Sequence, residues 1–170
     1  NPARSKELLT QAGFQLGSDQ KLRDRLGNVV EFTLNTNQEN QLRANMATAF
    51  KENMRDLGIT VNLSFLDFGT LVGKIQDSYD YEAGMLGLTG GGDPAGGISV
   101  YSSKGRLHQW HPNQKTPATP WEARIDQLMS DQLHTLDYPT RKKYFDEVQK
   151  IMSDETPYIY LVTANAYVGL

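Results

Sequence analysis

Three groups of residues in this 170-residue sequence carry side chains or backbone with chemistry to offer. The first is the glycine-rich run at 87–97, GLTGGGDPAGG, in which Asp93 is the single carboxylate. Glycines let a ligand approach backbone N–H and C=O groups because no Cβ holds it off. Gly90, Gly92 and Ala95 satisfy the letter of the dinucleotide fingerprint G-x-G-x-x-A. That fingerprint needs a helix N-terminus directly behind the glycines to receive a pyrophosphate, and an acidic residue about 20 positions on to hold a ribose. The residues after Pro94, AGGISV, are poor helix formers, and no carboxylate stands at that distance. Nucleotide binding is therefore not expected, and the absence of Gly-Lys-Ser/Thr excludes a phosphate loop. Two readings stay open: a ligand-lining loop, or a tight turn in which Asp93 caps through an Asx bond and Pro94 fixes the geometry.

The second group is His108 and His111 in HQWH, with Ser99, Ser102 and Ser103 close in sequence. Two imidazoles at that spacing share a metal if the loop curls helically, but His134 is remote and no carboxylate cluster flanks the pair. A hydrolase needs a nucleophile with its base, and no Gly-x-Ser-x-Gly elbow exists. A hydrolase or metal-dependent enzyme using the His108/His111 loop is the alternative reading. The third group is aromatic. Trp121 opens a striped helix and is expected in the core; Trp110 stands in a polar loop and is the better surface for stacking a ligand, with Tyr101 a weaker one.

The elements that must position these groups alternate. A helix is expected over 2–12, with Asn1 as cap, Pro2 in its first turn, Leu8, Leu9 and Ala12 on one side and Gly13 as its stop. A polar hairpin-like stretch follows. Residues 29–35 place Val30, Phe32 and Leu34 on one face of a strand. Thr36 to Glu39 fits a capping box for a helix striped by Leu42, Met46, Ala49, Phe50 and Leu57. Residues 59–66 alternate again, with Ile59, Val61, Leu63 and Phe65 on one side. Strand, helix, strand of this kind closes as a right-handed parallel crossover. Asp67 then caps a helix carrying Leu71, Val72 and Ile75, and a third strand is expected over 81–88. The fold class is α/β. Residues 95–118 read as a long loop, Thr119 to Glu122 as a capping box with Pro120 at the first helical position, and the helix after it is striped by Trp121, Ile125, Leu128 and Leu136. A last helix over 139–154 shows Phe145, Val148 and Met152, and Pro157 starts a β-rich tail, YIYLVT, at 158–163.

Composition bounds the partners. A formal charge of -3 with both signs interspersed leaves no electrostatic footprint for nucleic acid or anionic lipid. The absence of cysteine excludes disulfides and thiol chemistry. No apolar run reaches the roughly 18 residues of a membrane span. The sequence starts without Met, so it is expected to be an excised piece of a longer polypeptide.

Taken in order, NPARSKELLTQAGF at 1–14, LRDRLGNVVEFTL at 22–34, LGITV at 57–61, YDYEA at 79–83, GDP at 92–94, IDQLM at 125–129, EVQKIM at 147–152 and PYIYL at 157–161 resemble the extracellular solute-binding protein family 5 over essentially the whole chain. These are the oligopeptide, dipeptide and nickel-complex receptors of ABC importers. The resemblance implies a periplasmic-binding-protein-like lobe with a largely parallel sheet flanked by helices, residues 1–170 forming the C-terminal lobe of a two-lobed receptor whose N-terminal lobe lies elsewhere. It implies no catalysis and no cofactor, a periplasmic or extracellular location with a lipidated N-terminus upstream as a further expectation, and hand-over of a peptide or similar small polar solute to a membrane permease. Peptide receptors of the family carry an acidic residue three positions before the Asp of Gly-Asp-Pro, which pairs with the peptide ammonium. The matching position here is Gly90, and Asp93 is the carboxylate that remains in the loop. The expected ligand contacts are Thr89, Gly90, Gly91, Gly92 and Asp93 lining a cleft, with Trp110 and His111 as side-chain contacts.

Overall fold

The computed structural model describes residues 1–88 and 91–163. The chain divides into two compact units, Asn1–Leu88 and Thr89–Leu170.

The first unit is built on a three-stranded parallel sheet in the order β4-β3-β5, with β3 at Glu31–Asn37, β4 at Thr60–Leu66 and β5 at Ala83–Gly84. Leu34 of β3 faces Leu63 on one neighbour and Ala83 on the other. Helix α2, Gln41–Arg55, crosses between β3 and β4 and covers one face of the sheet. Its Ala47 is buried with Leu34, Val61 and Met85, and Met46, Phe50 and Met54 pack around them. Leu42 and Ala49 lie outside that face and are exposed, because the buried stripe runs through Met46, Ala47, Phe50 and Met54. Gly58 ends the segment after α2 with φ +81, where a Cβ would also crowd the Gln20 carbonyl and the Leu22 amide at 2.9 Å. Helix α3, Phe68–Gly73, is capped by the Asp67 side chain as expected and runs into a π-helical turn at Lys74–Ser78; Leu71 and Ile75 are buried. Before the sheet, α1 spans Pro2–Gln11 with Asn1 as cap and buries no residue, and β1 (Gln15–Leu16) pairs antiparallel with β2 (Leu22–Arg23).

Three expectations for this unit are corrected. The capping box at Thr36 does not form: β3 continues to Asn37 opposite Leu66, the Thr36 hydroxyl donates to the Met85 carbonyl at 2.9 Å, and the helix waits for Asn40, whose side chain accepts from the Arg43 amide. Sheet pairing wins over the local cap because it satisfies the same polar groups and buries them as well. The third strand is two residues long rather than eight. Its pairing is prolonged by the Met85 amide on the Asn35 carbonyl at 2.9 Å and by the Asn35 side chain on the Ala83 carbonyl at 3.2 Å. Phe65 is 43% exposed at the end of β4, so the alternating face there is not all core.

The second unit is organised by two helices packed together, α5 at Pro120–Leu133 and α6 at Tyr138–Glu155. Thr119 and Glu122 form the predicted capping box, and Asp137 caps α6. Ile125, Leu128, Met129, Val148 and Met152 make the core, flanked by Tyr101, Trp110, Trp121, Phe145 and Tyr158. Leu136 is fully exposed because α5 stops three residues earlier. After Pro94 the chain makes a 3-10 turn at Pro94–Gly97 and one helical turn, α4, at Ile98–Tyr101, where a plain loop was expected; the Asp93 side chain caps the first of these through Ala95. The tail at 158–163 forms no strand, since a strand needs a ladder partner and none pairs with it among the described residues. Tyr158 turns inward onto Trp110 while Ile159, Tyr160 and Val162 stay exposed.

Candidate functional site

In the first unit, chemistry gathers at the carboxyl end of the parallel strands, where open α/β sheets hold ligands. Asn37 closes β3 and is buried; its side-chain amide donates to Glu39 at 3.1 Å, and the Arg43 guanidinium donates to its carbonyl oxygen. The other Glu39 oxygen accepts from the Phe68 amide at 3.2 Å. The second Arg43 nitrogen of the fork lies so close to Gly87 that a Cβ there would meet it at 3.0 Å. Gly87, the first residue of the run, thus lies against a cationic side chain held in place by β3. Nothing in the spacing of Asn37, Glu39 and Arg43 marks them in advance, because the residues sit on different elements until the sheet forms.

Within the run, Thr89 and Gly90 lie outside the described residues. Gly91 and Gly92 are exposed, and a Cβ on either would meet nothing within 4 Å. Asp93 Oδ1 accepts from the Ala95 amide at 2.8 Å and from Arg141 Nη2 at 2.8 Å. The same Arg141 nitrogen donates to Gln132 Oε1 at 3.1 Å. The Ala95 bond, and Arg141 after it, hold the Asp93 carboxyl below the usual carboxylate range. The Asx geometry foreseen for Asp93 is present. Its partner Arg141 stands 48 residues away in sequence, a distance at which no local pattern could reveal it.

The HQWH loop is organised by Glu122, whose side chain is fully buried. Four donors converge on its Oε1: His108 Nε2 at 2.9 Å, Trp110 Nε1 at 2.9 Å, His111 Nδ1 at 3.0 Å and Gln114 Nε2 at 3.0 Å. Oε2 accepts from the Thr119 amide at 2.8 Å and hydroxyl at 2.9 Å. Burial pushes this carboxyl up, yet the bonds from His108, His111, Gln114 and Thr119 outweigh it and hold it at about 2. The capping-box residue of α5 is therefore also the pin on which residues 108–119 are hung. Trp110 is built into this network rather than left open, with its ring 3.8 Å from His108, 6.2 Å from Trp121 and 5.0 Å from Tyr158 between centroids. His111 is different. Its Nδ1–H points at the carboxylate and its side chain stays 46% exposed.

His108 and His111 do come together, but on a shared carboxylate oxygen, and no group of three or more His, Cys, Asp or Glu placed to hold a metal exists among the described residues. Ser102 and Ser103 meet neither histidine: both hydroxyls donate to Asp126, which also accepts the Ser103 amide at 2.7 Å. Ser99 offers its carbonyl to Leu107, and a Cβ at Gly105 would run into that same carbonyl. In the sequence Glu122 shows only as a helix cap; the signal for its larger role is the clustering of His108, Trp110, His111 and Gln114 just upstream of the Thr-Pro-Trp-Glu cap.

The fold is α/β with a parallel sheet, and comparison with known proteins places it. Residues 1–108 match the middle region of the bacterial extracellular solute-binding proteins, family 5. The chain belongs to that family. It is 31% identical over 180 aligned positions to a probable ABC transporter-binding protein of Deinococcus radiodurans, an alignment that covers 98% of this chain and 30% of that protein. It is 25% identical to the oligopeptide-binding protein AppA of Bacillus subtilis, covering all of this chain and 30% of AppA. The structure of AppA in complex with a nonapeptide superposes with a TM-score of 0.78 at 22% identity, over 93% of this chain and 30% of AppA. The periplasmic binding protein MelB of Agrobacterium fabrum, in complex with stachyose, superposes with a TM-score of 0.82 at 16% identity, over 92% of this chain and 25% of MelB. The chain thus spans about a third of the length of the curated relatives it matches.

Proposed function

We propose that this chain is the C-terminal lobe of an ABC importer's receptor, one that closes on a peptide or similar small polar solute and presents it to a membrane permease. The observation that supports the reading best is the match of residues 1–108 to family 5, in a chain whose glycine run follows β5 in sequence. Backbone groups at Gly91 and Gly92 are open to a ligand, and His111 offers an exposed ring whose orientation Glu122 fixes. Trp110 contributes by shaping the loop behind His111. Closure of two lobes around the solute is the signal a permease reads. The protein would work outside the cytoplasmic membrane, tethered by a lipid at an upstream N-terminus.

Native mass spectrometry of the full-length protein, purified without denaturation, tests the reading. A co-purifying peptide is the expected result. A preparation that carries no solute, takes up none from a peptide pool and shows hydrolysis abolished by His111→Ala would overturn it in favour of an enzyme.

A further inference from the structure

In the Glu122 network His111 keeps a ring nitrogen for outside use. A carboxylate only accepts, so the 3.0 Å contact between His111 Nδ1 and Glu122 Oε1 places a ring proton on Nδ1. Glu122 is ionised across the physiological range, since its carboxyl is held at about 2. No group among the described residues bonds His111 Nε2, and the side chain is 46% exposed. His108, on the same oxygen, is spent at both ring nitrogens: Nε2 on Glu122 at 2.9 Å and Nδ1 on the Val100 carbonyl at 3.2 Å, inside a fully buried side chain. Trp110 and Gln114 also turn their donors inward. The His111 ring is held in this pose from both sides. Pro112 follows it and confines the His111 backbone to extended conformations. Gln114 bridges Glu122 to the Ala118 amide, at 3.0 and 2.6 Å, and closes the loop behind the ring. Turning the ring over would set a carbon against the carboxylate and forfeit a charge-assisted bond.

We infer that His111 is a specificity-determining residue of the solute site and acts there as an acceptor: the solute group that reaches Nε2 is a hydrogen-bond donor, such as the amide or hydroxyl of a side chain, and not a carboxylate. This rests on the solute-receptor reading above and names a chemical class within it. A carboxylate at Nε2 would set lone pair against lone pair, and the ring cannot move its proton across without leaving Nδ1 bare against Glu122. Net charge makes the opposite forecast. Residues 94–121 carry Lys104, Arg106 and Lys115 and no acidic side chain, so long-range attraction alone would favour acidic solutes. Exposed cations are screened over about 10 Å of salt water, whereas the bond at Nε2 is made or lost at contact. The acceptor therefore decides between two solutes that differ at that point.

The test uses the full-length receptor at about pH 8, above the ordinary range of histidine, and random nonapeptides made in pairs that differ by Gln against Glu at one position. Retained peptides are released and the members of each pair are quantified by mass spectrometry. In wild type one position is expected to favour Gln over Glu about tenfold. His111→Phe keeps a flat ring without the acceptor and is expected to bring that ratio to within about twofold of unity, while His111→Lys, which offers a cation, should favour Glu there. A ratio unmoved by His111→Phe would overturn the inference, as would a wild-type preference for Glu. Ring-nitrogen NMR of receptor labelled at histidine reads the proton directly, with the His111 signals assigned by their loss in His111→Phe. A protonated Nδ1 and a bare Nε2 are expected, and the reverse tautomer would overturn the proposal whatever the peptides do. Retention of no peptide by wild type, with the expected tautomer in place, would instead sink the peptide-receptor reading, and the proposal would fall with it.

Discussion

Glu122→Gln preserves the shape of the side chain but exchanges one accepting oxygen for an amide that donates, against six donors already in place. The expected cost is about 3 kcal/mol, the size associated with breaking a buried charged network from one side. Urea unfolding of the variant followed by far-UV circular dichroism measures it. His111→Asn, at an exposed member of the same network, should cost under about 1 kcal/mol. The carboxyl also ties stability to pH. Its folded value of about 2 lies below its ordinary value of 4.5, so its contribution is complete above about 4.5 and is lost as pH falls toward 2. Acid titration of wild type should show a loss of stability in that window which the Glu122→Gln protein lacks. At this scale the sequence was partly legible. The cap was visible because Thr119, Pro120 and Glu122 are adjacent, whereas the convergence of His108, Trp110 and His111 on one oxygen depends on how the loop folds back onto the first turn of α5.

Most elements follow the periodicities that the sequence displays, and one departure arises where a polar residue has two competing partners. Thr36 is such a residue: as a cap it would end β3, and as a ladder substitute it prolongs pairing with the segment after β5. Thr36→Val is isosteric and β-branched, so it should leave the strand intact and cost about 1–2 kcal/mol through the orphaned Met85 carbonyl. The comparison that decides is the urea midpoint of this variant against Thr36→Ser, which keeps the hydroxyl and should recover most of the loss. Gly58→Ala is expected to be at least as harmful, since it combines φ +81 with backbone crowding at 2.9 Å from the Leu22 amide. Arg124 and Glu147 join α5 to α6 through two bonds of 2.7 and 2.9 Å, yet both side chains are nearly half exposed. A double-mutant cycle on the pair should return only the small coupling typical of solvent-screened surface ion pairs. The strands and helices around the apolar stripes were legible from spacing alone. The tail at 158–163 was not, because a β-rich composition states a preference and the partner strand that would realise it is absent among the described residues.

For the molecule as a whole, the chain accounts for about a third of the length of its relatives, and on the receptor reading proposed above the solute contacts are divided between lobes. On that same reading the isolated 170-residue chain is expected to bind solute at least about a hundredfold more weakly than the full-length receptor, by isothermal calorimetry on both. Family membership was legible in the order of short motifs along the chain, whereas the pairing of Asp93 with Arg141 depends on the folded contact between the glycine run and α6. The 170-residue sequence has two tryptophans, stacked 6.2 Å apart against the same core, and both belong to the unit Thr89–Leu170. Intrinsic tryptophan emission of this 170-residue chain therefore reports on the helical unit and the loop pinned by Glu122, with no tryptophan placed in the unit of the parallel sheet.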